Sequence, residues 1–342
     1  MDRSLPRSFF SCCKVVRALM ARRARAPGLC GVVACGAQAH MAFTGGMCAP
    51  RDRTDLEDIT IYLNDLHILS TSSKPPTWSR PPRTPSNPPP MEREGHTAVV
   101  IGRSMVIFGG TWVDEDDASR YLNDVHCLDT GRNWWSRPDT LGTPPIEREG
   151  HSACAVGRSM LVFGGAGLDV EERSINLADL FILNTDTWTW QQPQLGSDVL
   201  PQERRYHTAS VCDSKMYVFG GQYYESTADL HFECDNIVSC LDVENMSWET
   251  LNMSWETLSR IEGQAPLRRA CHAAGVVGKN VYIVGGRYWD ISEDDYIFMS
   301  DNSHNSPPPH KHTQRLHLHE RHSAAGHFAL LLLRTRLARL LQ

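Results

Sequence analysis

Short apolar runs separated by polar breaks fill the middle of the chain, and they come in a fixed order. After His96, residues 97–101 run apolar, 102–104 are a polar break, 105–108 run apolar again, and Gly109-Gly110 follows. Two such runs around a tight break predict a hairpin of two buried strands. An acidic loop comes next (Asp114, Glu115, Asp116, Asp117), then a third strand over 122–128 and a turn over 129–133 that leads to Trp135. Four short antiparallel strands in one unit predict a propeller blade.

The order is written four times. Histidines stand at His96, His151, His207 and His272, each with an arginine three positions before it: Arg93, Arg148, Arg204 and Arg269. Thirteen positions after each histidine comes a glycine pair, beginning at Gly109, Gly164, Gly220 or Gly285. The copies start 55, 56 and 65 residues apart, and a period of this size marks a repeat architecture. Three copies place a tryptophan seven residues after a strand leucine: Leu128 and Trp135, Leu183 and Trp190, Leu241 and Trp248. The pair is expected to fill the gap between neighbouring blades. Burying an indole of roughly 200 Å² at ~25 cal/mol/Å² contributes ~5 kcal/mol. The glycine pairs are expected to end strands where backbones approach closely.

Residues 96–101 (HTAVVI), 106–110 (VIFGG) and Leu128-Asp129 with Trp135 together resemble the kelch repeat. The resemblance covers residues 96–303 well and 30–80 poorly. It implies an all-β, kelch-type β-propeller of four-stranded antiparallel blades, with about five blades encoded. The first unit is degenerate: Gly45-Gly46 and Leu69 fit, but Trp78 sits two positions late, in a Pro-rich stretch over 74–90. The last starts at His272 and loses the pattern after Asn302. The expected organisation is a basic segment over 1–29, disordered or targeting, then a propeller over 30–303. Its units span about 30–80, 96–137, 151–192, 207–258 and 272–303. A His/Pro-rich basic tail over 304–342 follows, with a short helix suggested by Leu330, Leu333, Leu337 and Leu341. The heptad 245–251 (NMSWETL) is repeated as 252–258, which leaves Trp248 in register and Trp255 redundant.

In the propellers that the chain resembles, the loop entering the first strand and the loop after the second lie on one face. That face would present Arg93, Arg148, Arg204 and Arg269, with Trp112, Tyr223, Tyr224, Tyr288 and Trp289 nearby. Arginine and aromatic residues are enriched at protein-binding hot spots. The expected function is therefore a protein-interaction module or scaffold that takes a protein or peptide ligand on its loop face. The bland alternative is that each arginine pairs with an adjacent acid (Glu92, Glu94, Glu147, Glu149 or Glu203) and braces its loop.

Composition narrows the choices. The net charge of −6 divides into +6 over residues 1–50, −17 over 51–302 and +5 over 303–342. An acidic propeller disfavours nucleic acid, because phosphate contacts need clustered Lys and Arg. Eleven cysteines with no CxxC pair, several of them inside apolar strands, point to a reducing, cytoplasmic setting. The alternative is mitochondrial, from the Arg-rich, acid-poor leader. No apolar run of 18 residues predicts a membrane span. The repeat histidines are explained by their place at a strand start, and no catalytic, cofactor or metal site is assigned. The copper oxidases among kelch-type propellers use a tyrosine–cysteine centre that cannot be assigned here residue by residue, so a channel enzyme is the weakest alternative. A ubiquitin-ligase substrate receptor is another, although no BTB, F-box or cullin-binding element is recognisable. Five partial blades would leave a strand edge open, so self-association is expected.

Overall fold

The computed structural model describes residues 32–35, 40–48, 61–70, 72–114, 118–195, 200–224, 232–234, 238–251, 268–290, 295–298 and 314–317. All regular structure there is β. The first sheet is β1 (Val32–Cys35), β2 (His40–Cys48), β3 (Ile61–Ser70) and β4 (Thr77–Ser79), antiparallel and in sequence order. The second repeats it with β5 (Thr97–Ile101), β6 (Ser104–Val113), β7 (Ser119–Asp129) and β8 (Trp134–Ser136). The third is β9 (Ser152–Val156), β10 (Ser159–Leu168), β11 (Ser174–Asn184) and β12 (Thr189–Gln191).

In the fourth unit the long middle strands are split. β13 (Thr208–Cys212), β14 (Lys215–Phe219), β17 (Val238–Asp242) and β18 (Ser247–Leu251) form the blade. β15 (Gln222–Tyr224) and β16 (Phe232–Cys234) form a separate arm beyond it. The fifth follows the same plan, with β19 (Ala273–Val277) and β20 (Asn280–Val284) in the blade and β21 (Arg287–Asp290) and β22 (Asp295–Phe298) in the arm. Its third blade strand is β23 (Gln314–His317), so the sheet draws on residues beyond 303, inside the segment read as a tail. The free edge of β20 requires an antiparallel partner, and 314–317 supplies one. Trp255 and the leucine-rich stretch of the tail lie outside the described residues.

The degenerate first unit is complete as a sheet. Trp78 lies opposite Leu69, as Trp135 lies opposite Leu128, so the two extra residues are absorbed in the turn. Trp248, from the first copy of the duplicated heptad, lies opposite Leu241.

The glycine pair does not end a strand in the first three blades. β2, β6 and β10 run through it, with a register shift at the pair. The reason is visible at Gly109 and Gly110, whose φ values of 66° and 103° favour glycine. A Cβ on Gly109 would sit 2.8 Å from the Arg148 carbonyl of the next blade. One on Gly110 would sit 2.6 Å from the Glu94 carbonyl. The bulge turns the Gly110 N–H toward Arg148 O, which accepts it at 2.8 Å. Gly165 to Arg204 O and Gly221 to Arg269 O repeat this bond between the following blades.

Hydrophobic cores lie between blades. Trp190 packs with Met160, Val162 and Leu183 of its own sheet and with Val99, Val106 and Phe108 of the preceding one. Its ring centroid is 4.9 Å from that of Phe108, and Trp248 stands at the same distance from Phe163. The histidines join the same seams. His151 shares a hydrogen bond with Thr97, His207 with Ser152 and His272 with Thr208, at 2.7–2.8 Å, each across to the preceding blade. Burial, with the nearby Arg148 and Arg204, holds His151 and His207 well below the usual imidazole range, and burial beside Arg269 pushes His272 down to about 3. A base whose folded pKa is depressed favours unfolding as pH falls below its unfolded value near 6.5. These histidines are neutral struts, and the fold should weaken between pH 6.5 and about 3.

Candidate partner-binding face

Sequence reasoning put four arginines on a recognition face. The structure buries them. Arg93, Arg148, Arg204 and Arg269 are 2%, 0%, 1% and 1% exposed. Arg148 donates from Nη1 to Gly164 O at 3.0 Å, from Nη2 to Asp179 Oδ2 at 2.9 Å and from Nε to Ile146 O at 3.1 Å. Arg93 makes the same set with Gly109 O, Asp124 and Met91 O. Arg204 and Arg269 donate to Gly220 O and Gly285 O at 2.9 Å. A guanidinium that forks onto a carboxylate and a bulge carbonyl inside a blade has no surface left to offer a ligand. The arginines brace, and in Arg93 and Arg148 the bracing partner is an aspartate 31 residues on, not an adjacent glutamate.

Arginine, histidine, glycine pair and tryptophan thus all hold the blades in shape and together. What remains for recognition is whatever differs between repeats. The residue after each arginine pairs through its backbone with the residue after each glycine pair: Glu94 with Thr111, Glu149 with Ala166, Arg205 with Gln222, and Ala270 with Arg287. These bridges place the entering loop and the arm side by side. The side chains there change sign from blade to blade, with acids in the second and third and arginines in the fourth and fifth.

The two acids are not ordinary surface carboxylates. Burial, and then the charge of Glu149, pushes the Glu94 carboxyl up to about 7, against the lowering effect of a hydrogen bond from Tyr62. Burial also raises Glu149, although Tyr206 donates its hydroxyl to both carboxylate oxygens at 2.8 and 2.9 Å and Arg205 stands 3.7 Å away. The inner loop that carries them turns through left-handed residues at one position in every copy: Gly95, Gly150, Tyr206 and Cys271. Their backbones link in sequence, Gly150 N–H to Gly95 O, Tyr206 N–H to Gly150 O and Cys271 N–H to Tyr206 O. Tyr206 tolerates its φ of 57° because its ring and hydroxyl are engaged by the neighbouring blade.

The aromatic residues fall on the arms. Trp112 lies on β6, Tyr223 and Tyr224 on β15, and Tyr288 and Trp289 on β21; Trp112, Tyr223 and Tyr288 are half-buried. The acidic loop tips are partly neutralised within themselves, Asp114 by Arg120 at 2.6 Å and Asp169 by Arg173 at 2.7 Å. Sequence reasoning missed Glu94, Glu149, Arg205 and Arg287. The signal was available, since they stand next to repeat landmarks and change from copy to copy.

The raised Glu94 pKa carries a sign. A carboxyl whose folded pKa exceeds its unfolded value favours folding below about 4.5, and that contribution is lost as pH rises through about 7. Glu94→Gln should therefore leave the melting temperature near wild type at about pH 4.5 and raise it above wild type at about pH 8. An equal change at both pH values would show that the carboxyl is not held protonated.

Among the described residues no cluster of His, Cys, Asp and Glu could hold a metal ion, and no helix is long and apolar enough to cross a membrane. Cys127, Cys154, Cys212 and Cys240 are buried free thiols, and burial pushes Cys154 up to about 12.

A family model described as the KLHDC2/KLHL20/DRC7 Kelch-repeats domain matches residues 16–167 and 95–327. Host cell factor 1 of Homo sapiens is 34% identical over 249 residues, covering 66% of this chain and 12% of that protein. Host cell factor of Drosophila melanogaster is 30% identical over 251 residues, covering 66% and 16%. Acyl-CoA-binding domain-containing protein 5 of Arabidopsis thaliana is 33% identical over 236 residues, covering 66% and 32%. The chain therefore matches less than two thirds of the length of each relative. Among solved structures, YjhT aligns with a TM-score of 0.55 and 16% identity over 79% of this chain and 76% of that one, a likeness of fold.

Proposed function

Because the chain belongs to the kelch-repeat family, we propose that it is a protein-interaction module that binds a protein or peptide on the face made by its entering loops and arms. One observation carries this reading. Every element that recurs is used up in holding the blades in shape and together, while the residues of the entering loops and arms differ from blade to blade. Loops that vary on a constant frame are where a propeller can select one partner over another.

The aromatic anchors would be Trp112, Tyr223, Tyr224, Tyr288 and Trp289, with Arg287 supplying charge. A scaffold role needs nothing more than this face. A ubiquitin-ligase receptor would need an adaptor-binding element in addition. The buried reduced thiols support a cytoplasmic setting.

The test pairs capture with folding. Trp112→Ala with Tyr288→Ala should reduce partner recovery from lysate at least about tenfold while the melting temperature shifts little, since both side chains are only half-buried. Undiminished recovery by the folded double variant would exclude this face.

A further inference from the structure

The segment between the first two blades makes a second surface, at the opposite end of β7 from the arms. β7 is 11 residues long, which separates its ends by roughly 33 Å. From the tip of the β7–β8 hairpin at the far end, a groove runs along the proline-rich linker to Asn64 of β3. Its floor is apolar, from Leu66 and the buried Trp135. One wall is Pro81, Pro82 and Pro89, and the other is the hairpin tip with Trp134. The linker is fixed there. Asn87 donates to Trp135 O at 2.6 Å and accepts from Trp135 N–H at 2.8 Å, so its side chain mimics a strand pair on the outer edge of the blade.

Two features of the groove are not required by the repeat. Trp134 is 50% exposed, and the residue before the blade tryptophan in the other units is Thr77, Thr189 or Ser247. A small hydroxyl residue suffices there structurally, so an exposed indole is surplus to folding. The rim carries Arg80, Arg83 and Arg132 in a region of the chain whose balance is −17. Arg83 donates to the neutral amide oxygen of Asn64. Arg80 and Arg132 stand 3.5 and 3.8 Å from Asp65 and Asp129, looser than the loop-tip pairs Arg120–Asp114 and Arg173–Asp169 at 2.6 and 2.7 Å, and both are mostly exposed. Such contacts contribute little and are easily redirected to a stronger anion.

We propose that this groove binds an extended acidic peptide segment of a partner protein, with an apolar side chain of that segment seated on Leu66 and the two indoles and its carboxylates forked by Arg80, Arg83 and Arg132. The choice of occupant rests on charge complementarity: the rim offers three guanidiniums, the groove itself is lined by no acid, and the rest of the propeller would repel the same peptide. The fixed prolines lower the ordering cost of binding.

The experiment is selection from a random peptide library on the whole chain, followed by titration of a labelled peptide of the enriched sequence. Enrichment of Asp and Glu flanking an apolar residue is expected, with affinity that falls as salt rises. Trp134→Ser puts in the residue found at Ser247 and should keep the fold, yet weaken binding at least about tenfold, as should Arg132→Glu. The double variant of Trp112 and Tyr288 should bind this peptide as wild type does, which separates the groove from the loop face. No acidic enrichment, or binding undisturbed by Trp134→Ser and Arg132→Glu, overturns the proposal. So does a groove occupied by a second copy of the chain, seen as a wild-type dimer in sedimentation that Trp134→Ser dissociates.

Discussion

Arg148→Ala should destabilise the protein by about 3–5 kcal/mol, the range for breaking a buried ion pair by removing one partner. The guanidinium is fully buried and serves three acceptors at once: Asp179, Gly164 O and Ile146 O. Alanine leaves all of them without that donor. Asp179 keeps some access to water, at 26% exposure, and that access limits the loss. Gly164 O has no such relief, because it lies at the bulge that locks the third blade to the fourth. Arg148→Lys should recover only part of the stability, since one ammonium cannot span a carboxylate and a carbonyl as the planar fork does. Urea denaturation reads the result as a lower midpoint at unchanged slope. A normal midpoint with lost partner capture would return the arginines to the recognition face and reverse the assignment made here.

That assignment was only half legible in the sequence. The repeat itself is plain, because Arg, His and Gly-Gly keep their offsets through four copies and Trp its offset from the strand leucine through three, and strands of four to five apolar residues admit few alternatives. The place of the arginine in an entering loop suggests a surface group, and the nearest acids in sequence, Glu92, Glu94, Glu147 and Glu149, are the partners that a bracing role would suggest. A long side chain is not bound to its neighbours. Folding brings Asp124 to Arg93 and Asp179 to Arg148 from the third strand, 31 residues away in both. The equal offset was readable, and Asp235 stands 31 residues from Arg204 as well. The histidine seam had a comparable signal in the hydroxyl residues Thr97, Ser152 and Thr208, each just after a repeat histidine.

Other features had no one-dimensional signature. The raised pKa of Glu94 comes first from burial and then from Glu149, which lies 55 residues on in a neighbouring inner loop hydrogen-bonded to its own. The third strand of the fifth blade also escaped. Residues 314–317 are short and sit among histidines, and only the unsatisfied edge of β20 gives them a reason to be a strand. The glycine pairs follow a strand end in the fourth and fifth units, as the sequence suggests, but lie inside a bulged strand in the first three. A bulge and a strand end both call for φ values that glycine adopts, and only the continued pairing beyond Gly110, Thr111 with Tyr121 and Trp112 with Arg120, separates the two.

Trp190→Ala should cost about 3–5 kcal/mol, as for an emptied large-aromatic site in a core. The indole is 2% exposed and lies between two sheets, so its removal opens a cavity bordered by Phe108 and Val106 on one side and Met160 and Leu183 on the other. Collapse is difficult, because both walls are strands held by their own ladders. The chain at Thr189 and Trp190 is also tied to Leu141 of the preceding linker, with Trp190 N–H donating to Leu141 O at 2.9 Å. The contrast is Trp78→Ala. Trp78 occupies the matching place opposite Leu69 but is 38% exposed, so its loss should cost well under half as much. Equilibrium denaturation of both variants tests the idea that blade tryptophans contribute in proportion to the neighbour that covers them. Equal losses at the two positions would mean that the tryptophan stabilises its own hairpin, and that the seam between blades is held by the histidines and the glycine bulge.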